Sequence, residues 1–346
     1  MTGSFRLAII GSGLITQASH LPAALALPKV QVTAIIDPAP ARAAQVAASY
    51  GISPLIFGSI DDMQNAKACQ IDGAVIATPN HTHKDLAIRC LEAGISVLIE
   101  KPLANSVADG LAIAEAAEQA GRVAAVGYWR HFSGITPLLK EVVDQQYFGT
   151  VKRFVHQFGT EGGWAPLSAY NLDRRTAGGG VLVVSGSHFI DQLLYLWGYP
   201  DTVEFRDDSA GGPEGHCEAV FNFGGESGPI TGIARYSKTT RIPGGLVLET
   251  DRGILTVTES GEGSIEFRAA ASPGIVQTIS RGTRTGAATD EFVLQLQDFV
   301  DACLERRPPR VTARQGIESL RLIELLYSQR KPMAQDWYSG RGHKDE

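Results

Sequence analysis

The sequence predicts an α/β protein: a parallel sheet interleaved with helices in its first third, then an α/β region built on a large antiparallel sheet. Three observations predict it. Between residues 5 and 126, short apolar runs alternate with longer helical stretches, the pattern of strands joined by helical crossovers. The first of these runs ends in a glycine turn, Gly11-Ser12-Gly13, that opens a helix. After Gly127 the pattern changes to β-branched and aromatic segments broken by glycines, which read as antiparallel strands with one wet face.

The elements follow in order. Leu7 to Ile10 reads as a strand, Leu14 to Ala26 as a helix and Val30 to Ile36 as a strand ending at Asp37. Ala39 to Tyr50 is an alanine-rich helix stopped by Gly51. The strand Gly73 to Ala77 leads into a helix from His83 to Ala93, with Gly94 as its stop. Ile95 to Ile99, Val107 to Gln119 and Val123 to Val126 complete a strand–helix–strand unit. Strands beyond this include Val151–Val155, Cys217–Phe223 and Gly253–Thr258, within sheet stretches at 150–160 and roughly 202–282. Helices are expected at Asp290–Glu305 and Arg314–Arg330, and the polar tail Gly340–Glu346 should fray.

A chain of 346 residues is long for one core, so two domains are expected, 1–126 and 127–346. The C-terminal helices at about 290–330 are candidates to pack back on the first domain. Net charge is −6 without a Lys/Arg cluster, which argues against nucleic acid or an anionic membrane as partner. No apolar run approaches the ~20 residues of a membrane span. Cys69, Cys90, Cys217 and Cys303 form no CxxC and read as reduced thiols of a cytoplasmic protein.

Chemistry concentrates at predicted strand ends. Gly11 permits a tight turn, and Gly13 lets the backbone approach a pyrophosphate seated on the helix N-terminus. Leu14 and Ile15 continue this turn, but the third glycine of the fingerprint is Thr16 here. Asp37, ending the second strand, suits the two ribose hydroxyls of an adenosine and repels a 2′-phosphate, which favours NAD over NADP. Arg42, nearby and cationic, points the other way. The third long strand ends in Thr78-Pro79-Asn80-His81-Thr82-His83, a turn suited to the nicotinamide half of the cofactor. His81 and His83 have no clustered carboxylates or thiolates, so no metal site is expected. Glu100-Lys101-Pro102 follows the next strand, and a partly desolvated lysine at that sheet edge is fit to exchange a proton.

These residues, in this order and spacing, resemble the Gfo/Idh/MocA oxidoreductases, the family of glucose-fructose oxidoreductase and inositol dehydrogenase. The resemblance rests on Gly11-Ser12-Gly13 with His20 downstream, Ala77 to His83, Glu100-Lys101-Pro102, and Gly178-Gly179-Gly180 leading to Gly186-Ser187-His188-Phe189-Ile190-Asp191. It extends from Phe292 through Pro309-Arg310-Val311-Thr312 to Leu326-Tyr327. It implies an N-terminal Rossmann parallel sheet and a C-terminal α/β domain with a large, mainly antiparallel open sheet. The outer face of that sheet then makes homodimer or homotetramer contacts, and nicotinamide and sugar meet between the domains. It further implies that Lys101 and His188 are catalytic, that Glu100, Lys101, Thr78, Pro79, Asn80 and His83 join the cofactor site, and that Asp191 contacts His188 or substrate.

One departure stands out. The family's aspartate four residues before the histidine is Val184 here. Lys101 and His188 then suffice, or Asp191 or Tyr170 substitutes, or the reaction is not simple alcohol oxidation. Trp129 and Arg130 suit a sugar's C–H surface and hydroxyls, or pack between domains. Trp164, Tyr170, Asn171, Asp173, Arg174 and Ser187 occupy the expected substrate loops, and the glycine triplet reads as backbone geometry and not as a phosphate site. The expected activity is NAD-dependent hydride transfer at a hydroxyl of a sugar, sugar derivative or cyclic polyol. The alternatives are an NAD-dependent glycosidase working by transient oxidation and elimination, and a non-catalytic nucleotide-sensing regulator.

Overall fold

The structure, a computed structural model, describes residues 4–162, 169–224, 228–258, 263–280 and 291–333. Trp164, Asp290, the tail Gly340–Glu346 and parts of the expected 202–282 sheet stretch lie outside these residues. The chain divides into two compact units, Met1–Ser133 with Thr283–Leu320, and Gly134–Gly282 with Arg321–Glu346.

The first unit is built on six strands: β1 (Phe5–Ile10), β2 (Val30–Ile36), β3 (Leu55–Phe57), β4 (Gly73–Ile76), β5 (Ser96–Ile99) and β6 (Ala124–Val126). They lie in the order β3-β2-β1-β4-β5-β6, every pair parallel. Alternate residues feed opposite faces, as the period of a strand requires. Ile10, Ile36, Ile76 and Ile99 join one buried cluster with Ala87, Leu91, Ile113 and Ile317 of the covering helices. Ile9, Ile35, Val75 and Leu98 join the other, with Leu21, Ala43, Val46 and Phe299. Burial on both faces is why these strands read as continuous apolar runs. It also brings the Glu291–Glu305 helix into this core, where Phe299 meets Phe5 edge-on with ring centroids 6.1 Å apart.

Three differences from the sequence reading have local causes. The stretch expected as one helix from Leu14 is a π-helix at Thr16–His20 followed by an α-helix at Leu21–Ala26. β3 and the helix Ile60–Ala66 gave no periodic signal, because an edge strand of three half-exposed residues has no alternation to display. The last helix ends at Ser328 instead of Arg330, and Arg330–Pro332 adds a short strand. Pro332 disfavours helix just before it, and buried Asp207 takes the Arg330 guanidinium at 2.7 Å.

The second unit carries a nine-stranded sheet made of β7 (Val151–Gly159), β8 (Thr202–Asp207), β9 (His216–Phe223), β10 (Ile230–Ser237), β11 (Ile242–Thr250), β12 (Gly253–Thr258), β13 (Ser264–Ala269), β14 (Val276–Ile279) and β15 (Arg330–Pro332). The order is β14-β13-β12-β11-β7-β10-β9-β8-β15. Among the described residues only β7–β10 and β8–β15 pair in parallel, so the sheet is mainly antiparallel. One face packs on the helices Ile135–Asp144 and Ser187–Trp197 through Phe154, Phe189, Leu193, Phe221 and Tyr236. On the other face Val220, Ile233, Val155 and Val247 stand side by side across four strands, flanked by the Arg235–Glu218 and Arg153–Glu249 ion pairs.

The Phe154 ring stacks on Trp197 at 4.7 Å and lies directly over the backbone of Gly232. A Cβ on Gly232 would sit 1.8 Å from that ring, so the glycine is required by the aromatic layer. Gly232→Ala should destabilise this unit by about 1–3 kcal/mol, the cost of overpacking a filled core. A lower urea midpoint at unchanged m-value checks it.

Candidate functional site

The parallel register ends four neighbouring strands at one level. Ile36, Ile10, Ile76 and Ile99 are successive cross-strand partners, so the residues after them emerge side by side. Those residues are Asp37, Gly11, Ala77 and Glu100. Backbone bonds extend the ladder into the turns: Gly11 N–H donates to Ile36 O at 2.8 Å, Ala77 to Ile10 O at 2.8 Å and Glu100 to Ile76 O at 2.9 Å.

Gly11 has φ +96°, and a Cβ there would lie 2.4 Å from the Ala77 carbonyl oxygen. Both facts restrict this position to glycine. The Thr16 hydroxyl donates to the Gly11 carbonyl at 2.6 Å, so the residue that breaks the glycine fingerprint braces the turn instead. A Cβ on Gly13 would meet nothing within 4 Å, and Leu14 and Ile15 are exposed. A bare backbone turn at a helix start, with an apolar rim, suits a pyrophosphate and its neighbouring rings.

Asp37 is buried, and its carboxylate accepts from Ser12 N–H at 2.8 Å, Ser12 Oγ at 2.6 Å, Ala39 N–H at 2.8 Å and the Arg42 guanidinium at 2.7 Å. Burial alone would raise this carboxyl; the bonds from Arg42, Ser12 and Ala39 outweigh it and hold it below the usual carboxylate range.

Glu100 is also buried. Its Oε1 accepts from His20 Nε2 at 2.7 Å and its Oε2 from the Lys101 N–H at 3.1 Å. Burial again pushes the carboxyl up, and the His20 bond and charge with the Lys101 charge carry it below the usual range. The π-helix Thr16–His20 delivers His20 to this position, and such turns recur at functional sites. Lys101 itself is half-buried.

The Thr78–His83 turn is closed from within. Thr78 and Thr82 hydroxyls bond at 2.7 Å, and Asn80 is buried. Pro79 caps the short turn Asn80–Thr82, while His81 is exposed. The fully buried His83 places Nε2 2.9 Å from the Thr78 carbonyl and Nδ1 3.0 Å from the Pro102 carbonyl, tying this turn to the lysine's. Burial holds its imidazole below the ordinary value against the pull of those carbonyls. After β6, Tyr128, His131 and Phe132 are buried, and half-buried Trp129 stacks on Phe292 at 6.2 Å with Arg130 over its ring at 5.4 Å.

In the second unit the expected substrate residues surround the glycine triplet. Tyr170 starts a short turn whose carbonyl accepts the Thr176 hydroxyl at 2.6 Å, and Asp173 caps the helix Arg174–Ala177. Asn171 is buried. Arg174 lies 4.8 Å over the Tyr327 ring. A second π-helix, Leu182–Gly186, contains Val184 and leads directly into Ser187 and His188. Ser187 is fully buried, His188 half-buried, and Asp191 buried one turn on.

Sequence reasoning missed what holds this helix start. Buried Glu214 accepts from the Gly180 and Leu182 N–H groups, each at 3.0 Å, and from Tyr327 Oη at 2.8 Å. A Cβ on Gly180 would lie 2.1 Å from the Glu214 carbonyl, and one on Gly179 would strike the Tyr327 hydroxyl. The triplet is thus a packing surface for a capping carboxylate. Burial raises Glu214, and burial with the Glu214 charge lifts Tyr327 well above its ordinary value. A glutamate far along the chain from the helix it caps leaves no local signal.

Comparison with known proteins places the chain. A profile of an oxidoreductase family with an NAD-binding Rossmann fold matches residues 5–128, and the GFO/IDH/MocA C-terminal domain matches residues 137–241. The chain belongs to the Gfo/Idh/MocA family. It is 30% identical over 220 residues to the rhizopine catabolism protein MocA of Rhizobium meliloti, covering 62% of this chain and 66% of that one. It is 29% identical over 206 residues to D-glucoside 3-dehydrogenase of Escherichia coli, covering 58% and 56%. The fold matches a crystal structure of aldose-aldose oxidoreductase from Caulobacter crescentus complexed with glycerol, with TM-score 0.82 and 23% identity over 94% of this chain and 97% of that one.

The Asp37 anchor has a pH signature. A carboxyl held low in the folded protein binds fewer protons than the unfolded chain between the two values, so its stabilisation is present above the ordinary range of about 3.9. It is lost as pH falls through the folded value. The difference in urea midpoint between wild type and Asp37→Asn should therefore be large at neutral pH and shrink on acidification.

Proposed function

We propose that this chain is an NAD-dependent oxidoreductase that oxidises or reduces a hydroxyl-bearing carbon of a sugar, sugar derivative or cyclic polyol. The observation that carries it is the row of strand ends that sets the Gly11–Ile15 turn, Asp37, the Thr78–Thr82 turn and Lys101 along one sheet edge. That edge is where open α/β sheets hold ligands. The turn restricted to glycine at Gly11 and open at Gly13 fits a dinucleotide. Gly11, Gly13, Leu14, Ile15, Asp37, Thr78 and Lys101 are the residues assigned to hold it. The nicotinamide, when bound, supplies the hydride acceptor.

The chain's own groups handle the proton. Oxidation of a carbinol removes a hydride from carbon and a proton from oxygen, and Lys101 and His188 are the bases assigned to that oxygen. Glu100 accepts the Lys101 N–H and so orients the backbone that carries the amine. Trp129, Arg130, Tyr170, Arg174 and Asp191 are the groups we assign to the rest of the substrate. Val184 offers no carboxylate, so the two bases work without the family's aspartate.

The same reading extends to assembly and setting. The stripe of Val220, Ile233, Val155 and Val247 supports a homodimer or homotetramer formed through the open sheet face. Four free cysteines, two of them buried, support a cytoplasmic setting. Among the described residues no helix is long and apolar enough to cross a membrane.

An absorbance screen for NADH across sugars, sugar acids and inositols tests the activity. Lys101→Ala should lower kcat by about 100-fold or more, the contribution of a positioned base, with a much smaller loss of NADH affinity. Full turnover in that variant would overturn the assignment of Lys101, and release of aglycone from aryl glycosides without net NADH would overturn the dehydrogenase reading.

A further inference from the structure

We propose that two buried histidines, His20 and His83, are positioning residues for Lys101, each holding the backbone on one side of it. The proposal rests on the assignment of Lys101 as a base and names what keeps that base in place.

Lys101 follows β5 and belongs to no helix or strand, so no ladder fixes its backbone. Its neighbours are held from outside instead. On the amino side, Glu100 Oε1 accepts from His20 Nε2 at 2.7 Å, while Oε2 accepts the Lys101 N–H at 3.1 Å. The carboxylate thus bridges the imidazole and the lysine's own peptide. The His20 ring is buried, and Phe292 meets it edge-on with centroids 5.4 Å apart. Behind Glu100 stands Gly127. A Cβ there would lie 3.2 Å from Glu100 Cα and 3.3 Å from its Cδ, closer than side chains normally pack. With a donor in front and bare backbone behind, the carboxylate keeps one place.

On the carboxyl side, His83 Nδ1 lies 3.0 Å from the Pro102 carbonyl and Nε2 2.9 Å from the Thr78 carbonyl. Both oxygens only accept, and a neutral imidazole carries one N–H. His83 is fully buried, and burial keeps its ring below the ordinary value, so the neutral form prevails at neutral pH. The ring therefore serves one carbonyl at a time. With the proton on Nδ1 it fixes the residue after Lys101; with the proton on Nε2 it fixes the Thr78 turn. The first state is the one that positions the lysine. A base displaced by ~1 Å loses on the order of 100-fold in rate.

Asparagine and glutamine dissect the two contacts. Asn carries its amide nitrogen as many bonds from Cβ as Nδ1, and Gln as many as Nε2. At position 20 only Gln keeps the donor to Glu100; at position 83 only Asn keeps the donor to Pro102. NADH formation from NAD is measured over a panel of free sugars, sugar acids and inositols. His20→Gln and His83→Asn should keep most of the wild-type kcat. His20→Asn and His83→Gln should lose about tenfold or more, with smaller changes in KM. The order is crossed between the two positions, whereas a merely structural role would rank Asn and Gln alike at both. Equal losses for Asn and Gln at either position, or the reverse order, overturn the positioning role while leaving the function standing. Loss of the folded state in all four variants, read by circular dichroism, overturns it too. Full turnover in Lys101→Ala removes the base and the proposal with it, and a wild type that forms no NADH with any of the panel overturns the proposed function as well.

Discussion

The constraint on which the cofactor half of the site depends is the common level at which four parallel strands stop. Ile36, Ile10, Ile76 and Ile99 are one cross-strand row, and each contributes its side chain to the same buried cluster. A one-residue slip of any strand would exchange the residues of two differently packed buried faces, such as Ile10 for Ile9 or Ile76 for Val75, and misfit both clusters. The packing cost of that slip is what aligns Asp37, Gly11, Ala77 and Glu100. Chemistry at this edge is positioned by packing several residues below it.

Buried carboxylates then fix the turns that packing alone leaves loose. Asp37 takes the N–H groups of Ser12 and Ala39, Glu100 takes that of Lys101, and Glu214 takes those of Gly180 and Leu182. Burying a charge is costly unless every acceptor is used, and in each case a side-chain partner helps: Arg42, His20 or Tyr327. The three are not equivalent. Cationic or imidazole partners keep Asp37 and Glu100 ionised, whereas Glu214, facing a phenol and the charge of Asp207, is pushed up. The first two act as fixed negative charges beside the assigned cofactor and lysine; the third braces a helix.

The two π-helices give both units a related device. One lies between the glycine turn and the Leu21–Ala26 helix and ends at His20; the other lies between the glycine triplet and the Ser187–Trp197 helix that carries His188. A wider turn rotates the residues that follow relative to a regular α-helix. Spacing counted along the chain is therefore a poor guide to which side chains share a face with His188. Val184, four residues earlier, lies inside the widened turn.

Much of this was legible in the chain. Alternating apolar runs and helical stretches determine the parallel sheet, because strands buried on both faces need both faces apolar. Gly11, Asp37 and Lys101 are visible from residue type and position at predicted strand ends, and His188 from the resemblance to the family. Short elements such as β3 were not legible, since three residues carry no period. Nor were the partners of the site residues. His20 with Glu100 and Tyr327 with Glu214 are brought together by the fold from positions 80 and 113 residues apart. The sequence by itself determined which groups stand at the strand ends, because local pattern and strand polarity suffice for that. Only the tertiary structure decided which are already engaged, because a carboxylate's hydrogen bonds are set by what packs against it.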